Sequence, residues 1–448
     1  MLTKASVLFF IFGGIVTACF FTTVSRIWPV LLDGPLRRLS LPGIDSLKKL
    51  DIGLVNGPYG KVREITGRDA RYGMNDWPVT VTADNSFLRP DFKSDILAAE
   101  VLAALHQAIE AKIQGKKEKA HKLFQHALAL DPDHADTLNE YGSFIEDEDV
   151  VKADHLYTCA LINNASHTEA VLNLKRTSSI VEEIDQRMLG RIEDKRDILL
   201  RLPENNAAFQ RARQEMYYLH IYHTTAIEGN TLSLEQMRSI METGLSVPGK
   251  SIMEHNEVIG LNAALQYINT TLMNRIGGVR VEDILEIHRR VIGYVDPIEA
   301  GQVRTTQVFV GSHMPPAPGV VITLLEEFVD WMNSEEMQSL HPVEFAALAH
   351  YKLVYIHPFL DGNGRTSRLL MNMILMRAGF PPVIIKVSDR HEYYETLKMA
   401  NKGDIRPFVR FIARCTERML DAYLWLTSDG HSVKELDDGK RIVVDKGS

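Results

Sequence analysis

The chain has 448 residues, a formal net charge of −8 and an apolar fraction of 45%, which is enough for a sizeable core. Its length predicts two or three domains. The mild acidic excess, without a dense stripe of lysine and arginine, argues against a nucleic-acid-binding protein. The three cysteines, Cys19, Cys159 and Cys415, show no zinc-binding spacing and are interpreted as structural thiols, although a Cys159–Cys415 disulfide stays open.

The N-terminal region is marked by an uncharged and mostly apolar run over residues 5–25. About 20 apolar residues are needed to cross a bilayer as a helix. We therefore predict that residues 1–25 form a very short N-terminal tail followed by a transmembrane signal anchor. A cleaved signal peptide is the alternative, but the run is long and no small-residue cleavage motif follows it. Positive charges flank both ends, so charge bias alone leaves the orientation open.

Residues 26–94 contain repeated prolines and glycines and predict a juxtamembrane connector with little regular structure. Two N-glycosylation sequons begin at Asn164 and Asn269, and Asn269 is the predicted glycosylation site. Sequons also arise by chance. These two are meaningful as glycosylation sites only if the body of the chain lies in a secretory lumen.

A repeat pattern covers residues 95–166. Small and aromatic residues fit the tetratricopeptide spacing for the second helix of one repeat and both helices of the next: Ala120, Phe124, Ala127, Pro132, Leu138, Tyr141, Gly142, Ile145, Ala153, Tyr157 and Ala160. A plain array of helical hairpins is the alternative. Residues 167–203 follow as a charged helix with apolar residues three and four apart, which predicts a rigid linker.

Amphipathic helices with short turns fill residues 204–430, so the predicted fold class is all-α, and a tail follows over 431–448. The exception is Gln307–Val310, which is β-rich and bounded by Gly311 and several prolines, and predicts a small β-hairpin flap. Earlier in this region, 214–230 predicts a helix with Gly229 as its natural stop, which places Glu228 at the helix end.

The stretch 357–368 reads His-Pro-Phe-Leu-Asp-Gly-Asn-Gly-Arg-Thr-Ser-Arg and lies between two apolar runs with helical spacing. Its glycines let backbone N–H groups approach a ligand closely. Its arginines fall in the first turn of the second helix, where anions are favoured. His357 can accept a proton near neutral pH. The combination predicts a phosphate-binding loop beside a general base.

This twelve-residue motif resembles the full signature of Fic-domain proteins. The order of anchor, repeats, linker helix and core resembles the metazoan endoplasmic-reticulum members of that family. The resemblance implies a helical Fic domain over about 279–414 that transfers AMP from ATP to Ser or Thr hydroxyls. It also implies a single-pass type II protein of the endoplasmic-reticulum membrane with a lumenal core, and the lumenal Hsp70 chaperone BiP as substrate.

The resemblance assigns roles to individual residues. His357 is the general base, Asp361 holds Mg²⁺ or Mn²⁺, and Arg368 grips the γ-phosphate of ATP. The flap is expected to pair with the substrate segment by strand addition. The further ATP contacts that it implies are Val310, Gly311, Ser312, His313, Gly362, Asn363, Gly364, Arg365, Thr366, Ser367, Tyr393, Tyr394 and Asn401.

The segment 224–230 resembles the inhibitory signature of the same family. This implies that Glu228 pairs with Arg368, in a bidentate geometry, and so competes with the γ-phosphate. It also implies that Glu228 supports removal of AMP from a modified hydroxyl, by positioning a water. Lys250 and Ile252 resemble part of the homodimer surface of such proteins.

Two other functions stay open from the sequence. One is a Fic transferase that uses another phosphate-containing donor, such as a phosphocholine carrier. The other is a membrane-tethered tetratricopeptide adaptor with a dormant core, since such repeats commonly bind peptides.

Overall fold

The computed structural model describes residues 92–203, 205–311 and 313–428. The predicted anchor (1–25), nearly all of the predicted connector (26–94) and the predicted tail (431–448) lie outside the described residues, as do Glu204 and Ser312. Among the residues that are described, no helix is both long and apolar enough to cross a membrane.

The fold is all-α, as predicted, and the described residues contain no strand. The first four helices are α1 (Phe92–Ile113), α2 (Lys117–Leu130), α3 (Ala135–Ile145) and α4 (Val150–Asn163). They pack in the pairs α1–α2 and α3–α4 around an apolar core that includes Phe124, Tyr141 and Tyr157. These residues are buried, as the repeat pattern requires, while the tetratricopeptide assignment itself stays a prediction.

The long helix α5 (Thr168–Leu200) joins this four-helix unit to the rest of the chain. Ala170, near its start, belongs to the core of the four-helix unit, whereas Ile192 belongs to the large core of the C-terminal region. Because one continuous helix contributes to both cores, it fixes the two parts against each other.

The C-terminal region builds one large core from ten further helices. They are α6 (Ala207–Ile227), α7 (Leu234–Thr243), α8 (Ile252–Tyr267), α9 (Val281–Ile292), α10 (Val321–Met332), α11 (Glu335–Gln338), α12 (Pro342–Ile356), α13 (Asn363–Arg377), α14 (Arg390–Asn401) and α15 (Arg406–Thr427). Helices α12 and α13 are buried along nearly their whole length, so the loop between them starts from the centre of the core.

Buried ion pairs fasten the four-helix unit and α5 onto α15. Arg406 binds Asp154 of α4 at 2.5 Å, and Arg410 binds Asp185 of α5 with two bonds of 2.8 Å. Removing one partner of such a pair leaves an uncompensated buried charge, so these contacts define how the parts dock.

The predicted β-hairpin flap is smaller than the sequence suggested. Between α9 and α10 the described residues form a single isolated bridge, in which Val310 and His313 exchange two backbone bonds of 2.9 and 3.0 Å. Pro315 and Pro316 carry no N–H and cannot extend the pairing. The guanidinium of Arg304 donates a hydrogen bond to the carbonyl of Pro316, so this carbonyl is not available to accept from a second strand.

Both described cysteines, Cys159 and Cys415, are free thiols. The disulfide that the sequence left open is therefore not formed.

Candidate active site

The loop 357–362 is closed by the side chain of Asn363. Its Oδ1 accepts the backbone N–H of Phe359 at 3.0 Å, and its Nδ2 donates to the carbonyl of the same residue at 2.8 Å. The side-chain amide is therefore occupied by the loop, and the predicted ATP contact of Asn363 stays a prediction for its backbone N–H. The side chain is buried and shapes the loop from within.

Helix α13 begins at Asn363, directly after Gly362, whose φ of 79° lies in the left-handed region. A β-carbon at Gly362 would lie 2.8 Å from the side chain of Ile292, so only glycine fits the approach of the loop to α9. The first N–H groups of a helix have no partner within it and attract anions. The beginning of α13 can therefore receive phosphate oxygens, as predicted for this loop.

Thr366 and Ser367 are fully buried in the first turns of α13; the N–H of Thr366 donates to the Gly362 carbonyl and the Ser367 hydroxyl to the Asn363 carbonyl. Their ATP contacts stay a prediction.

His288, on α9, packs against the loop 357–362 and was not predicted from the sequence. Its ring stacks on Phe359 with 3.6 Å between centroids. Its Nδ1 accepts the N–H of Gly301 at 3.0 Å, so the proton sits on Nε2, which donates to the Asp361 carbonyl at 3.0 Å. Burial lowers the pKa of His288 to about 4, which keeps the ring neutral. No motif marks this residue, 73 positions from its acceptor.

His357 sits at the end of α12 with φ 50° and ψ 60°, and among the described residues it is the sole non-glycine with a positive φ. Its Nδ1 donates to the Val354 carbonyl at 3.1 Å. That bond leaves Nε2 as the free acceptor, which is the form a general base needs. Burial lowers the pKa of His357 below its ordinary value of 6.5, although the charge of Glu228 acts in the opposite direction.

Arg304 ties the flap segment to the catalytic loop and was also missed by the sequence reasoning. It is 2% exposed, and its Nε donates to the His357 carbonyl at 2.7 Å while its Nη1 donates to the Thr306 carbonyl at 3.0 Å. Its backbone N–H donates to the Pro358 carbonyl at 2.9 Å. A buried arginine that binds only carbonyls holds backbone in place, which orients His357.

Arg365 and Asp361 form a pair at the edge of the loop. The side chain of Arg365 is 3% exposed and lies between Asp361, at 2.7 Å, and Glu257 of α8, at 3.1 Å. Both terminal nitrogens of Arg365 bind carboxylates, and its predicted ATP contact stays a prediction. Asp361 is 71% exposed at its side chain, so a cation can reach it. Burial raises its pKa, but Arg365 and the Gly362 N–H outweigh this and lower it, so the carboxylate is ionised.

The described residues hold no cluster of three or more His, Cys, Asp and Glu that could bind a metal unaided. Mg²⁺ prefers one or two carboxylates together with phosphate oxygens and water. Asp361 fits that arrangement when nucleotide phosphates supply the remaining oxygens.

Arg368 lies one turn into α13 and is bound by Glu228 at the end of α6. Its Nη2 donates to Glu228 Oε1 at 2.6 Å and to the Thr224 carbonyl at 3.0 Å. The pair uses one carboxylate oxygen, so the predicted bidentate geometry is wrong. The side chain of Arg368 is 2% exposed and that of Glu228 27%. Burial opposes the charge of Arg368, but Glu228 raises its pKa.

Tyr393 holds the other side of the Arg368 guanidinium. Arg368 Nη1 donates to the Tyr393 hydroxyl at 3.4 Å, and that hydroxyl donates to Nε2 of His350 at 3.1 Å. Burial lowers the pKa of His350 to about 3, so its ring is neutral and accepts. Tyr393 is only 1% exposed, and its nucleoside contact stays a prediction.

The remaining predicted nucleotide contacts stay on the surface. Tyr394 is 39% exposed, with the Arg390 guanidinium 5.1 Å from its ring centre, and Asn401 ends α14 in solvent. Val310 is 38% exposed in the flap segment. His313 packs on Tyr355 and donates to its carbonyl.

Comparison with known proteins identifies the family. The Fic/DOC family profile matches residues 278–375, which contain the loop and most of α13. A protein adenylyltransferase Fic from Aedes aegypti is 58% identical over 74% of this chain, and one from Nematostella vectensis is 55% identical over 75% of this chain and 78% of its own length. The chain belongs to the Fic/DOC family.

A solved structure of Fic-1 from C. elegans covers 72% of this Fic chain and 97% of its own, at 46% identity and a TM-score of 0.68. The match to the Aedes aegypti protein spans 66% of that relative's length, and the same holds for a Culex quinquefasciatus relative at 57% identity.

In this Fic chain, the segment after Glu228 is fastened to the first turn of α8. Asn230 donates to Glu257 Oε2 at 2.8 Å, and the same carboxylate binds Arg365. Thr231 donates to Glu254 and accepts from Lys250 Nζ at 2.6 Å. Glu228 is therefore connected through α8 to the region predicted as a dimer surface.

The predicted surface residues Lys250 and Ile252 lie at that first turn. Ile252 is 65% exposed, its neighbour Met253 is 55% exposed, and Leu245, seven positions earlier in the chain, is 70% exposed. Asn269 lies in a single π-helical turn (Ile268–Leu272) and is half-buried. Its glycosylation stays a prediction.

Proposed function

We propose that this chain is a protein adenylyltransferase, which transfers AMP from ATP to Ser and Thr hydroxyls of a protein substrate and also removes it. The observation that carries the proposal is the 2.6 Å bond between Arg368 and Glu228, beside a histidine whose Nε2 is free to accept a proton. The names of the relatives at 55–58% identity support it.

In the transfer reaction, His357 Nε2 accepts the proton of the substrate hydroxyl as that oxygen attacks the α-phosphorus of ATP. The N–H groups at the start of α13 stabilise the charge that develops on the α-phosphate oxygens. Arg368 binds the γ-phosphate once it is released from Glu228. Mg²⁺ or Mn²⁺, when bound, neutralises phosphate charge, and Asp361 is the residue that would hold it.

Glu228 supports two roles in the proposal. While it occupies the Arg368 guanidinium, the arginine is unavailable to ATP, so transfer is inhibited. When AMP is already attached to a protein hydroxyl, the same carboxylate can orient a water for attack on the phosphorus. One side chain thus favours removal over addition.

We also propose that the chain is a single-pass type II protein of the endoplasmic-reticulum membrane, with a lumenal core that modifies the Hsp70 chaperone BiP. The uncharged run over 5–25 and the two sequons support this topology. A glycosidase-sensitive mass shift that is lost in Asn269→Gln tests it. If neither sequon carries a glycan in a cell that glycosylates other secretory proteins, a lumenal location is contradicted.

Labelled ATP and purified BiP test the activity. Glu228→Gly is expected to raise AMP incorporation at least about tenfold, because Arg368 loses its carboxylate partner and becomes available to the γ-phosphate of ATP. His357→Ala is expected to abolish incorporation in both backgrounds. Glu242→Gly, a change at the exposed end of another helix, is the matched control and should behave as wild type. Equal rates in Glu228→Gly and wild type would overturn the inhibitory pairing.

Removal is measured separately on pre-modified BiP. Wild type should release AMP, whereas Glu228→Gly should not. Release by Glu228→Gly at the wild-type rate would remove the glutamate from this role while leaving the transferase proposal intact.

A further inference from the structure

Cys159, His155 and Asp404 meet where α4 packs against the C-terminal core. His155 Nδ1 lies 2.9 Å from Asp404 Oδ2, and His155 Nε2 lies 3.6 Å from the sulfur of Cys159. A carboxylate can only accept, so Nδ1 carries a proton and Nε2 faces the thiol. None of the three residues takes part in the AMP chemistry above.

The charges around this cluster favour an imidazolium. Asp404 is 2% exposed and also binds Arg406 at 2.7 Å, so its orientation is fixed. Burial alone would lower the pKa of His155, but its bonds to Asp404 and Cys159 outweigh that and raise the pKa to about 9. A cation held beside a sulfur stabilises negative charge on it, as in thiol nucleophiles activated by histidine.

The sulfur can also be reached. Cys159 is half-buried and lines a cleft of about 280 Å³ that opens between α4 and α14. On the α14 side the cleft carries Lys398 and, just beyond the helix end, Lys402, which pair with Glu395 at 3.9 Å and Asp133 at 2.8 Å in the same lining. Both pairs are solvent-exposed and therefore weak, so a carboxylate of a ligand can replace either partner. Cys415 also has a cation beside its sulfur, since Arg418 Nη2 donates to it at 3.4 Å, but it differs in access: it is 1% exposed, and burial raises its pKa to about 12.

We propose that Cys159 is a site of reversible thiol–disulfide modification by a small anionic disulfide of the glutathione class. The Cys159 sulfur attacks one sulfur of the disulfide, a new S–S bond forms and the original S–S bond breaks. The incoming disulfide is the oxidant: Cys159 is oxidised to the mixed disulfide, and the departing half is reduced to a thiol that takes up the proton given up by Cys159. His155 stabilises the attacking sulfur, and the two lysines receive the carboxylates of the incoming molecule.

The site lies on the seam between the four-helix unit and the C-terminal core. Asp404, which orients His155, shares Arg406 with Asp154 of α4. An adduct on Cys159 is therefore expected to loosen this seam, which makes the modification a means of altering how the two parts dock.

The test treats the full chain with oxidised glutathione at neutral pH and follows each cysteine by peptide mass. Cys159 is expected to react at least about tenfold faster than Cys415, and His155→Gln to slow Cys159 about tenfold and steepen the rise of its rate with pH. Cys415→Ala is the matched control and should leave the Cys159 rate unchanged.

A second measurement separates sulfur activation from recognition of the anion. Lys398→Gln with Lys402→Gln should slow the reaction with oxidised glutathione but not with uncharged bis(2-hydroxyethyl) disulfide. Reaction of Cys159 no faster than Cys415, or an unchanged rate and pH profile in a folded His155→Gln protein, would overturn the proposal. If the lysine variant slows the reactions with oxidised glutathione and with bis(2-hydroxyethyl) disulfide equally, the assignment of an anionic partner is overturned.

Discussion

A β-carbon on Gly364 would lie 2.5 Å from Oε1 of Glu228. It would also lie 3.0 Å from Arg368 Nη1. The absence of a side chain at Gly364 therefore makes room for the Glu228 carboxylate. In the proposed function a phosphate would use the same space, so that one occupant would exclude the other.

The Gly364→Ala variant tests this shared space by stability. Crowding the site is expected to lower the free energy of unfolding by about 1–3 kcal/mol in wild type. In a Glu228→Gly background the loss should shrink, since the oxygen that clashes is gone. Denaturant unfolding of the four proteins of this cycle measures the coupling. Equal losses in both backgrounds would show that Glu228 does not occupy the space beside Gly364.

The lowered pKa of His357 predicts a specific pH dependence. A general base works in its neutral form, so a lowered pKa keeps the base competent at more acidic pH than an ordinary histidine. AMP incorporation by Glu228→Gly should therefore stay level at neutral pH and fall only below pH 6.5, the ordinary value. Removing Glu228 also removes a charge that raises this pKa, which moves the fall further down. Initial rates between pH 5 and 8 measure it, and a midpoint above 6.5 would contradict the burial of this ring.

The apolar surface around Ile252 predicts the oligomeric state. If Ile252, Met253 and Leu245 form a homodimer interface, Ile252→Asp should shift the protein to monomer at micromolar concentration, because an unpaired charge would be buried. Ile276→Asp is a matched control, since Ile276 is 99% exposed elsewhere on the core. Sedimentation velocity distinguishes the species. A dimer that survives Ile252→Asp would place the interface elsewhere.

The same variant is expected to change catalysis, because Lys250 and Glu254 link this surface to Thr231. AMP incorporation by Ile252→Asp should rise relative to Ile276→Asp if the dimer steadies Glu228. Unchanged incorporation in a monomeric Ile252→Asp protein would separate dimerisation from inhibition.

The pair between Asp185 and Arg410 predicts strongly non-additive stability. Their side chains are 1% and 7% exposed. Arg410→Met alone should cost about 3–5 kcal/mol of unfolding free energy, because Asp185 would keep a buried charge, whereas Asp185→Leu with Arg410→Met should lie near wild type. Glu392→Ala, which breaks the exposed pair with Arg414, is the control and should cost less than about 1 kcal/mol. Additive losses would show that the carboxylate and guanidinium do not compensate each other.

The helical class and the position of the loop could be predicted because each rests on a local pattern, whereas the Glu228–Arg368 pairing, across 140 positions, was predicted only from the family resemblance. Apolar residues at helical spacing define α12 and α13, and Gly229 ends the segment that carries Glu228. The protein partners of the motif side chains could not be predicted: Arg365 binds Glu257, and Tyr393 binds His350. These partners lie far away in the sequence, so only the tertiary fold brings them together.

His288 and Arg304 could not be predicted, for a different reason. Each supports the loop by binding backbone carbonyls, of Asp361 and His357 respectively. A carbonyl is present at every residue, so the sequence holds no complementary side chain that would mark the partner. Such contacts become visible only when the tertiary path of the chain is known.

The helix α5 has 33 residues and a length of about 50 Å. Its length sets the distance between the four-helix unit, whose surface could bind a protein, and His357, which could modify that protein. A bound partner would need an accessible hydroxyl at a fixed distance from the segment held by the four-helix unit. Substrate choice would then depend on the dimensions of a folded partner more than on the residues that flank the modified hydroxyl.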